Sequence, residues 1–148
     1  MNGVSEEVRS EVRTMTRSKA REQAFALLFE KSFHPDADLG VLAELSLING
    51  TLEDDPFTLR LAECVWGNLY AVDEIIEELT ERWTKARISR VALAALRLGV
   101  AEINFCDDIP HSVTINECVK LCKQYGEVAD AGFVNGILGA LVRGKSDE

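Results

Sequence analysis

Proline and glycine are scarce in this 148-residue chain, with three and ten copies. That scarcity leaves room for long helices. No stretch alternates apolar and polar residues long enough to specify a sheet strand. The longest strongly apolar run, Val91–Ala101, is broken by Arg97, which makes it too short and too charged for a membrane span. Met1–Arg21 is polar and has no apolar region of the kind a secretory signal carries. Four cysteines without such a signal fit a reducing, cytoplasmic setting better than a disulfide framework. Enzymatic signatures are absent too: GxGxxG, the P-loop, GxSxG and HExxH do not occur. No metal set is legible, because Cys118 and Cys122 lie one turn apart while Cys64 and Cys106 are remote in sequence. Buried cysteines packing as small apolar residues are the ordinary reading. His34 and His111 each stand beside a proline in an expected loop, and Asp107-Asp108 reads as a solvated turn. No catalytic residue and no cofactor is expected.

What is present is helical periodicity and polarised charge. The net charge is −9, but it is unevenly spread. Asp36–Glu81 holds 12 acids against one base, Arg60. Arg82–Arg97 holds five bases and no acid, and Met1–Arg21 holds five bases and three acids. Such a chain can meet a polyanion on one face and a basic partner on another.

The first firm helix is expected at Arg17–Phe33, with Ala20, Ala24, Leu27, Leu28 and Lys31 at helical spacing and Phe25, Phe29 and Phe33 as a second stripe. A second, Asp38–Ile48, carries Leu39, Leu42, Leu45 and Ile48. Asp55-Pro56 opens a third, which is expected to bend, restart at Asp73 and run to Trp83. Ser89 caps Arg90–Phe105, the central helix. Thr114-Ile-Asn-Glu117 reads as a capping box flanked by Val113 and Cys118 as a hydrophobic staple, with Gly126 as the stop. Asp130 caps a last helix through Leu141. The expected fold is therefore an all-α bundle of six to seven helices: a flexible extension over 1–16, one domain over 17–143 and a loose tail over 144–148.

Arg17, Lys19 and Arg21 put three cations at a helix start, where free backbone N–H groups also favour phosphate. Phe133, near the start of the last helix, is a candidate stacking platform for single-stranded RNA.

Four motifs carry a family resemblance. They are Arg17–Phe29 (RSKAREQAFALLF); Val72–Ile75 (VDEI) followed by Trp83 and Arg90–Arg97 (RVALAALR); Glu102-Ile103, Ile109-Pro110 and Val113–Lys123 (VTINECVKLCK); and Phe133–Leu138 (FVNGIL). Together they cover roughly Arg17 to Leu141, and the sequence resembles the bacterial antitermination factors of the NusB family. The resemblance implies seven helices in two packed subdomains and a non-catalytic factor that binds boxA RNA of ribosomal RNA leaders. It also implies action with the small ribosomal-subunit protein NusE to let RNA polymerase read through terminators. The residues carried over as RNA-binding are Arg17, Lys19, Arg21 and Phe133. Phe29 is carried over to the NusE-facing side, and because Ala86 and Ala92 are neutral where some relatives place acids, the partner interface is expected to be more apolar or shifted onto the Asp73–Glu81 acids, Asp73 and Glu77 among them. Gly132 stands where relatives often have a cation, and Ala92 where some place an acid. Gly136 reads as a site of close helix approach, with Asn135 bonding backbone across it. Two alternatives stay open: a homodimerising interaction module that associates through Val91–Ala101, and an auxiliary RNA-binding domain of the kind RNA methyltransferases carry.

Overall fold

The computed structural model describes residues 15–81, 87–106 and 109–146. Trp83, the Asp107-Asp108 turn and most of the expected N-terminal extension lie outside them. Seven helices are found among the described residues: α1 (Arg17–Phe33), α2 (Leu39–Ile48), α3 (Pro56–Gly67), α4 (Leu69–Leu79), α5 (Arg90–Phe105), α6 (His111–Tyr125) and α7 (Val128–Ser146). The fold is all-α, as expected from the periodicity.

Local chemistry sets most of the boundaries. Thr16, Asp38, Asp55 and Ser89 each accept a hydrogen bond from the backbone N–H three residues on, satisfying one of the donors a helix start leaves open. Pro56 occupies the first turn of α3, where its missing N–H costs nothing. The α3–α4 break falls at Asn68, five residues before the expected restart at Asp73. Asn68 itself is the reason: its side chain turns back to donate to the Cys64 carbonyl at 2.7 Å, and its own N–H bonds the Val65 carbonyl at 3.3 Å.

Two other boundaries differ from the sequence reading. The α6 helix starts at His111 behind Pro110, one turn ahead of the expected capping box. His111 is therefore a helical residue and not a loop residue. Thr114 lies inside the helix, and its hydroxyl donates to a carboxylate of α5 rather than closing a box with Glu117. The staple is absent as well, since Val113 is exposed and Cys118 fully buried. At the other end, α7 continues through Gly144 and Lys145 to Ser146. At its start the Asp130 carboxylate accepts from the Glu127 N–H at 2.8 Å, which holds the first turn.

Helix α5 is the axis of the fold and packs against α1, α3, α4, α6 and α7. One subdomain forms around α1, α2 and α3, and the other around α6 and α7. Ala94, Ala95, Leu96, Leu98, Val100 and Ala101 are all buried within the chain. Little of Val91–Ala101 is left to support self-association, because most of that helix is covered by the protein's own helices and only Val91, Leu93 and Arg97 are part-exposed. On α2 only Leu42 and Ala43 are buried; Leu45 and Ile48, expected in the core, are exposed.

The close approach of helices also lies elsewhere than expected. Gly136 is exposed, and a Cβ added there meets nothing within 4 Å. At Gly99 an added Cβ comes within 2.6 Å of Leu138 Cδ1 and 3.2 Å of Cys118 Sγ, both on fully buried residues. Gly99 is what lets α6 and α7 close on α5 together. Gly99→Ala should therefore lose roughly 1–3 kcal/mol to overpacking, whereas Gly136→Ala should be neutral or gain up to about 1 kcal/mol from helix propensity. Urea unfolding of the two variants checks this, and equal effects at both positions would contradict the packing described.

Candidate nucleic-acid interface

The start of α1 has no acidic residue in its first turn. Thr16 Oγ1 occupies the Lys19 N–H at 3.0 Å, and the Ala20 N–H is taken by the Thr16 carbonyl. That end of the helix thus combines a positive dipole with cationic side chains. Arg17 is exposed, with its guanidinium 4.0 Å from the centroid of the Phe57 ring. Such stacking holds the planar fork in place while leaving its N–H donors for an anion. Lys19 is also exposed and makes only a loose 3.8 Å pair with Glu22, worth little in water.

Helix α6 adds a cation that the sequence reading did not single out. Lys120 Nζ donates to Ser18 Oγ at 2.9 Å and lies 3.9 Å from Glu117, with 62% of its side chain exposed. Ser18 in turn donates to Glu117 Oε2 at 2.8 Å. This small network joins the α1 start to α6 across about a hundred residues of sequence. Arg17, Lys19 and Lys120 thus form one exposed basic group on two helices. The only sequence signal was Lys120 inside the VTINECVKLCK motif, and nothing in its spacing tied it to α1.

Arg21 is placed differently from its sequence neighbours. It is 2% exposed. Its Nε and Nη2 donate to the two oxygens of Glu102 at 2.7 and 3.0 Å, a two-pronged pair inside the core. Thr114 Oγ1 donates to the same carboxylate at 3.0 Å, and Glu117 lies 3.9 Å from Nη1. The expectation that Arg21 meets phosphate is corrected on this ground: its fork is consumed by Glu102, and it positions the helix that carries Arg17 and Lys19. Gln23 makes a second clamp from α1. Its amide donates to Thr58 Oγ1 and the Glu53 carbonyl, and it accepts from the Glu53 N–H.

Phe133 is half-buried on α7, packed against the core, with exposed Gly132 before it. Phe29 is half-buried within an aromatic row on α1, its ring 6.2 Å from Phe25 and 5.2 Å from Phe33. Asp73 accepts both prongs of Arg97, at 2.9 and 3.0 Å. Arg97 therefore does not extend a basic face. Glu77 is exposed one turn further along α4. The structure thus gathers Arg17 and Lys19 at one end of α1, with Phe29 three turns along the same helix and Asp73 and Glu77 on α4. Ala92, marked in the sequence where some relatives place an acid, is buried within the chain. No group of three or more metal-ligating side chains occurs among the described residues, and no described helix is long and apolar enough to cross a membrane.

The NusB family profile matches residues 18–143, and the chain belongs to that family. The transcription antitermination protein NusB of Agathobacter rectalis is 40% identical over 127 residues, covering 84% of this chain and 97% of the relative. Among solved structures, T. maritima NusB superposes with a TM-score of 0.77 at 32% identity, covering 87% of this chain and 92% of that one. A structure of the antitermination factors NusB and NusE in complex with double-stranded RNA contains a chain with a TM-score of 0.76 at 26% identity, covering 88% and 99%.

Removing one side of the interior pair leaves a buried charge without a partner. Arg21→Ala or Glu102→Ala should each cost about 3–5 kcal/mol, while the double change Arg21→Met with Glu102→Leu should cost far less than the sum of the two. Denaturant unfolding of the three proteins measures this, and additive losses would show that the two side chains act independently.

Proposed function

We propose that this protein is a non-catalytic transcription antitermination factor that binds single-stranded boxA RNA of ribosomal RNA leaders together with NusE. In that complex it favours read-through by RNA polymerase. The observation that carries the reading is the exposed group of Arg17, Lys19 and Lys120 around an acid-free helix start on a chain of net charge −9. An acidic protein that concentrates exposed cations at a helix N-terminus has built a local attraction for phosphate against its overall charge. The likeness to a chain solved with NusE and RNA supports the same reading.

In this reading Arg17, Lys19 and Lys120 follow the phosphate backbone, and Phe133 offers a face for base stacking. Arg21 contributes by holding α1 in place. A basic protein partner is assigned to the other end of the charge distribution. Helix α4 presents a shallow hollow of about 510 Å³ lined by Leu69, Tyr70, Asp73, Glu74 and Glu77, with Tyr70 86% exposed. Phe29, in its row with Phe33, is the aromatic contact assigned to NusE.

Fluorescence anisotropy of a labelled boxA-like RNA against a scrambled one, with and without NusE, tests the reading. The boxA RNA should bind more tightly, and NusE should strengthen that binding. Arg17→Ala and Lys120→Ala should each weaken binding and lower the salt slope by about 0.7 or less, the share of one phosphate contact on a single strand. Phe133→Ala should lose roughly 1–3 kcal/mol of affinity with the fold retained. Equal binding of both RNAs, with unchanged salt slopes in the two cation variants, would overturn the reading.

A further inference from the structure

The fold brings together two cysteines that the sequence keeps 42 residues apart. Cys64 Sγ on α3 and Cys106 Sγ at the C-terminal end of α5 lie 3.6 Å from each other and are not joined by a disulfide. Both are only part-buried, and both line a hollow of about 300 Å³ that opens to solvent. Arg17, Arg60 and Phe57 share its wall, and no carboxylate is among its described lining residues. Asn68 Nδ2 also lies 3.9 Å from Cys64 Sγ as a donor. A pair of facing thiols with solvent access and cationic walls has the features of a redox-responsive dithiol.

The other two cysteines supply an internal contrast. Cys118 and Cys122 are fully buried. Burial, and next the Glu102 carboxylate, push the Cys118 thiol far above its ordinary range. Burial, and then Asp130, push Cys122 up to about 12. Those two are inert packing groups.

We propose that Cys64 and Cys106 form a reversible intramolecular disulfide in response to hydroperoxides. The Cys64 thiolate attacks the peroxide; an S–O bond forms as the O–O bond breaks, and hydroxide leaves to be protonated. Cys106 then attacks the sulfenic sulfur; the S–S bond forms, the S–O bond breaks and water leaves. Two thiols lose two electrons and one hydroperoxide is reduced, to two waters when it is hydrogen peroxide. The sulfurs must close from 3.6 Å to about 2.04 Å. Cys106 is the helix cap of α5 with extended backbone, so it can yield without disturbing the buried turns of that helix. The bond would fasten α3 to the end of α5 beside Arg17. This inference is independent of the RNA reading, since it concerns only the thiols.

The test is treatment of the full-length protein with hydrogen peroxide, followed by thiol counting in denaturant and peptide mapping. The expected result is a fall from four reactive thiols to two, a loss of two hydrogens in intact mass, a single Cys64–Cys106 peptide, and full reversal by dithiothreitol. Cys64→Ser and Cys106→Ser should each abolish the cross-link, and the wild-type peptide map decides the matter even if either variant folds poorly. Four unchanged thiols, a bond involving Cys118 or Cys122, a disulfide between two chains, or a mass gain of two or three oxygens on Cys64 or Cys106 would each overturn the proposal.

Discussion

The two-pronged pair between Arg21 and Glu102 is the constraint on which the arrangement of this molecule turns. A carboxylate buried in the last turns of α5, with its surface fully excluded from solvent, is costly unless its charge and lone pairs are met. Here Arg21 meets both oxygens and Thr114 adds a third donor. Three helices, α1, α5 and α6, are thereby fixed in rotation and register about one buried point. Apolar packing sets the spacing of these helices, and the two-pronged geometry adds a directional constraint at one point.

The surface consequence follows from helical geometry. With Arg21 locked inward, Lys19, two residues earlier, is turned outward, while Arg17, one turn earlier on the same side, lies over Phe57 at the exposed end of α1. The same lock sets α6 so that Lys120 reaches Ser18. The exposed basic group is thus assembled by an interior ion pair, and one of the three cations that opened the helix is used to build the site rather than to line it. Gly99 plays the complementary steric part, since its missing side chain admits Leu138 and Cys118 to the same helix that carries Glu102.

Much of the architecture was legible in the sequence for identifiable reasons. Asp55-Pro56, Ser89 and the unbroken 3.6-residue period of Arg17–Phe33 mark helices through local chemistry, and these limits agree with the structure. Thr114–Glu117 misled because its residue types suit a cap equally well as an interior hydrogen bond, and only Glu102 in space decides between them. Leu45 and Ile48 fit the apolar stripe but lie exposed on α2. For the site, Arg17 and Lys19 could be picked from the helix start. The inward turn of Arg21, the arrival of Lys120 and the meeting of Cys64 with Cys106 are long-range facts that no local pattern encodes. Glu102 lies among buried alanines and leucines, and an acid in that setting is itself the sign of an interior cation.

The most direct check is a backbone and side-chain amide NMR titration of the protein with boxA-like single-stranded RNA. Signals at Ser18, Lys19 and Lys120 should move together with those near Phe133, while the Arg21 Nε–H stays protected and unshifted. Perturbations confined to Asp73 and Glu77 on α4, or an Arg21 Nε–H that is released and moves with RNA, would contradict the division of labour between an interior arginine that positions and surface cations that bind.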